Sequence, residues 1–140
     1  MSLTSPPSLR AFDEPKLEAV VELMFLAASA DGEFSDEERR HFAASVESLT
    51  DRRIAGDSFE TLIARIADGF RKEGRERRLA EVKAHLATPA LRRVALSLAI
   101  QVTAADGIIR TSERELLLEV ADALEIDRDE AADLVAKLSP

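Results

Sequence analysis

Two segments of the chain pair an aspartate with a glutamate seven residues later across an Asp-Gly step: Asp31-Gly32 with Glu38, and Asp106-Gly107 with Glu113. An apolar residue stands two positions after each glycine, Phe34 and Ile109, and an arginine follows each glutamate, Arg39 and Arg114. Carboxylates at this spacing match the second half of an EF-hand loop. There an acid precedes the sharp-turn glycine and a bidentate glutamate closes the loop. Aligned that way, the loop's first and third positions would be Ala27 and Ser29 in one copy, Val102 and Ala104 in the other. Neither copy has the opening carboxylate, and those positions read as helix, so a complete EF-hand is excluded. What remains is a pair of acids, present twice. A duplicated fold could gather them, with neighbours such as Asp36 and Glu37, round a hard cation that prefers oxygen: Ca²⁺, Mg²⁺ or Mn²⁺. The expected ligands are Asp31, Glu38, Asp106 and Glu113, with Gly32 and Gly107 permitting the turns.

The same residues also make sense with no ligand. A buried helix ends in small residues, an aspartate accepts turn amides, and glycine takes the positive φ that reverses the chain. The apolar residue after the glycine plugs the hairpin. A glutamate in the next helix's first turn complements its macrodipole by roughly 0.3–1 kcal/mol.

Other chemistry has little to work with. There is no cysteine, which excludes disulfides, thiolate-held zinc, iron–sulfur clusters and thiol catalysis. No Gly-x-Ser-x-Gly and no phosphate-cradling glycine loop is present. Glu38 and His41 have the Glu-x-x-His spacing of di-iron bundles, but the matching second position is Leu116, so His41 reads as a surface or boundary residue. His85 has no neighbour that completes a catalytic set. Arg71, Lys72, Arg75, Arg77 and Arg78 form a basic run against Glu73 and Glu76. No aromatic residue is interleaved for base stacking, and the run reads as a solvated helix start laced with i,i+4 pairs. The net charge of −8 opposes duplex or anionic-membrane binding. No stretch approaches a membrane-spanning length of apolar residues, and no signal-peptide pattern opens the chain. A cytoplasmic location is therefore expected.

The elements that must position the acids follow from periodicity. With 140 residues, 46% hydrophobic and 33% charged, the chain suits one helix-rich domain. Residues 1–14, with Ser5-Pro6-Pro7-Ser8, read as an N-terminal tail, and residues 15–140 as the domain. A helix from Lys16 to Ala30, opened by Pro15 with Asp13 or Glu14 as cap, is apolar round much of its girth. Ser35 to Glu38 is a capping box opening a second helix to about Leu49. A polar turn, Asp51 to Gly56, precedes a third helix from Asp57 to Phe70. After a break at Gly74 comes a fourth from Glu76 to Leu86. Thr88-Pro89 starts a fifth, running to Ala105, which is again apolar on more than one side. A sixth spans Thr111 to Leu124, and Asp127 to Glu130 caps a seventh. The fold class is all-α: a single-domain bundle of six or seven helices. The two Asp-Gly segments imply a degenerate internal duplication of a helical hairpin around two central helices.

At these residues the sequence resembles the tellurite-resistance TerB-like family, which has Ala-x-Ala-Asp-Gly turns followed by a glutamate at a helix start. The first copy is Ala28-Ser29-Ala30-Asp31-Gly32 with Glu38; the second is Thr103-Ala104-Ala105-Asp106-Gly107 with Glu113. The likeness runs from about Lys16 to Leu138. It implies a small cytoplasmic all-α domain of tellurite or chemical-stress resistance that binds metal through these acids. Similar domains beside J-domains in co-chaperones imply an interaction module. The second copy departs from the pattern at Thr103, Arg110 and Thr111, which makes it less acidic. Reduction of tellurite itself would need a thiol that the chain lacks. The expected function is thus non-enzymatic, either cation-binding or a metal-free adaptor. It implies an unidentified protein partner, no nucleic acid and no membrane, with a homodimer admitted. Carboxylate acid–base catalysis would need two acids in a shared concave site with separated pKa values.

Overall fold

The computed structural model describes residues 12–29, 35–104 and 111–138. They form seven helices: α1 (Glu14–Ala28), α2 (Asp36–Leu49), α3 (Asp57–Glu73), α4 (Arg75–His85), α5 (Pro89–Thr103), α6 (Thr111–Ala123) and α7 (Arg128–Leu138). No strand occurs among the described residues. No helix among them is long and apolar enough to cross a membrane.

Local chemistry sets most helix starts. The Asp13 carboxylate accepts from the Lys16 amide at 3.1 Å, ahead of Pro15. Ser35 Oγ accepts from the Glu38 amide while Glu38 Oε1 accepts from the Ser35 amide, both at 3.1 Å, which completes the capping box. Thr88 Oγ1 caps α5 through the Leu91 amide, and Asp127 Oδ1 takes the Asp129 amide at 2.8 Å. Helices α3 and α4 start instead at Gly56 and Gly74, with φ of +55° and +86° and no side-chain cap. Helix α3 runs through Glu73, past the expected end at Phe70, because nothing stops it before Gly74. Arg71 and Lys72 in its last turn suit the negative end of the helix dipole.

Helices α1 and α5 pack on each other at the centre. Leu17, Val20, Val21 and Met24 of α1 and Ala95, Leu96 and Ile100 of α5 are fully buried. Leu96 and Ile100 lie off the main apolar face of α5 yet are sealed, because α6 and α7 cover the side of α5 that α1 does not. Helix α4 lies against α1, α3 and α6. Helix α2 packs on α1 and buries Phe42 and Val46 of its own residues. The Phe42 ring sits between Phe25 and Phe59, at centroid distances of 6.1 and 5.8 Å.

Two stretches differ from the sequence expectation. Phe12, assigned to the tail, is buried in the core, its carbonyl accepts from Arg53 Nη1 at 2.7 Å, and Glu14 already belongs to α1. A lone aromatic carries no period, so pattern reading does not register it. The turn 51–56, expected to be polar, holds the buried Ile54, whose amide donates to Thr50 Oγ1 at 3.2 Å.

Candidate functional site

Of the four expected ligands, Glu38 and Glu113 are in the described part of the structure. Asp31 and Asp106, with Gly32, Gly107, Phe34 and Ile109, lie outside the described residues. Each glutamate is the third residue of its helix, Glu38 in α2 and Glu113 in α6. Their environments differ. Glu38 is exposed, with Oε1 committed to the capping box and Oε2 without a partner among the described residues. Glu113 is only 7% exposed, a carboxylate sealed at the start of α6. At the end of α5, Thr103 is also buried and its hydroxyl donates to the Ala99 carbonyl at 2.9 Å. Among the described residues, no three or more His, Cys, Asp or Glu side chains are grouped to hold a metal ion.

The two histidines stand on different helices, His41 on α2 and His85 at the end of α4. His41 is exposed on α2, beside Glu37, Arg40 and Ala44. His85 Nδ1 lies 2.9 Å from the Glu81 carbonyl, so Nδ1 carries the proton and Nε2 is the ring's other polar atom.

The basic run is paired throughout, partly along its helices and partly between them. Arg71 and Lys72 both pair with Asp68, and Arg77 with Glu73. The Lys72 hydrogen bond is the main cause of the lowered Asp68 pKa. Two arginines reach across the bundle: Arg75 to Glu119 on α6 at 2.6 Å and Arg78 to Glu22 on α1. Arg78 grips Glu22 with two parallel bonds, Nε to Oε2 at 2.8 Å and Nη2 to Oε1 at 2.9 Å. The Glu22 side chain is 7% exposed and that of Arg78 24%. The hydrogen bonds that Arg78 donates to Glu22 raise the Arg78 pKa further, so the guanidinium is a permanent cation.

Both residues of this pair line a groove of about 660 Å³ between α1, α3 and α4. Sequence reasoning missed it. One signal was present: Glu22 is a single charge inside the apolar run Val20 to Met24, and a charge in such a run must find a partner once buried.

The match to known proteins covers the same body of helices. A family model described as tellurite resistance protein TerB matches residues 16–136. The chain belongs to the TerB family. No curated protein and no solved structure gives a significant match. The stretch matching TerB runs from early α1 into α7 and includes Glu22, Glu38, Arg78 and Glu113. The TerB domain here is therefore the all-α bundle itself, with both candidate glutamates and the buried ion pair inside it.

Proposed function

We propose that this TerB domain is a non-enzymatic, cytoplasmic module of tellurite- or chemical-stress resistance. It takes up a divalent cation at the starts of α2 and α6, with Asp31, Glu38, Asp106 and Glu113 as ligands. The observation that carries this reading is the matched placement of the two glutamates. Each is the third residue of an amphipathic helix that follows one of the two buried central helices. The donor chemistry fits a hard cation: all four groups are carboxylates, and Glu38 keeps one oxygen beyond its cap. The matched placement also agrees with a duplicated helical hairpin, in which the second, less acidic copy binds more weakly.

A metal-free adaptor or co-chaperone-like module is the second reading, favoured by one observation. The capping box by itself accounts for Glu38 without any ligand. In that case the acids are hairpin chemistry and a protein partner binds elsewhere on the surface.

Thermal unfolding of chelator-treated protein with added Ca²⁺, Mg²⁺, Mn²⁺ or Zn²⁺ separates the two. Saturation at a hundred times Kd stabilises by about 2.7 kcal/mol, a rise in Tm on the order of 10 °C. The cation reading expects a selective rise that is lost in Asp31→Asn and in Asp106→Asn. An unchanged Tm with every ion would overturn it and leave the adaptor.

A further inference from the structure

We draw no further inference here: the strongest candidate, the groove between α1, α3 and α4, carries nothing because each of its carboxylates already meets an arginine or lysine of the chain and its apolar residues Leu62, Ile66 and Val82 are almost wholly buried, so nothing in the structure shows what would occupy it.

Discussion

Glu22 on α1 and Arg78 on α4, 56 positions apart in sequence, meet through two charge-assisted hydrogen bonds of 2.8 and 2.9 Å. The carboxylate belongs to a helix buried on nearly every side, and the guanidinium reaches it from a helix that buries only Leu79 and Val82 of its own residues. The pair therefore sets where α4 sits on α1. Apolar contact alone would fix that register less tightly, because an unpaired carboxylate in the core is penalised in every other arrangement.

Removing one partner should be far worse than removing both. Arg78→Met leaves Glu22 buried without its cation and is expected to destabilise by about 3 kcal/mol or more. Glu22→Leu combined with Arg78→Met restores a neutral, packed contact and should recover most of that loss. Urea denaturation of the two singles and the double gives the coupling directly. Equal, additive losses would refute the assigned role of the pair.

Arg92 holds two helix ends at once. Its Nε donates to the Leu86 carbonyl at 2.6 Å, its Nη2 to Lys83 and its Nη1 to Leu124, which ties the end of α4 to the end of α6. Arg92→Met is expected to lower stability by about 2 kcal/mol, from lost hydrogen bonds to a charged donor. Arg92→Lys should recover only part, since an ammonium lacks the fork that spans separate carbonyls. Chemical denaturation checks both.

At the start of α2, cap and ligand roles can be separated. Ser35→Ala removes the acceptor for the Glu38 amide and should cost about 1 kcal/mol. Glu38→Gln keeps an oxygen for the Ser35 amide and should change stability by no more than about 0.5 kcal/mol without cation. Any cation-dependent rise in Tm should nevertheless fall in Glu38→Gln. Thermal unfolding with and without cation reads both effects from one sample.

Acid should weaken the fold through its surface carboxylates. Hydrogen bonds from Lys72, Arg128 and Lys83 lower the pKa values of Asp68, Asp122 and Glu125, and the Lys16 amide does the same for Asp13. A group with a lower pKa when folded than when unfolded binds fewer protons in the native state, so stability falls as pH falls. The contribution is complete above the ordinary values of 3.8 for Asp and 4.5 for Glu, and is lost as pH drops through the lower folded values. The Tm should therefore begin to fall below about pH 4.5, and less so at high salt, where exposed pairs are screened. A scan of Tm against pH at two salt concentrations checks this.

Much of the fold was legible locally. Apolar residues at helical spacing marked the α1 and α5 helices as central, and Asp13, Ser35, Thr88-Pro89 and Asp127 marked helix starts, because a cap and its amide lie within a few residues of each other. The i,i+4 pairing within the basic run, Glu73 with Arg77, was legible for the same reason. Phe12 and Ile54 were not, since single apolar residues in polar stretches have no period to betray them. The candidate acids Glu38 and Glu113 look alike in sequence, and only packing makes one exposed and the other buried.

The amino-acid sequence by itself thus determined the all-α class, the helix order, the caps and the family, all of which depend on neighbours a turn or two apart. Tertiary structure decided the partner of Glu22, the carbonyls held by Arg92 and the groove above Arg78. A carboxylate in an apolar run shows that a cation must come to it, but several arginines carry the same charge. Which one arrives depends on how the helices pack, and here it is Arg78, carried by α4 across α1.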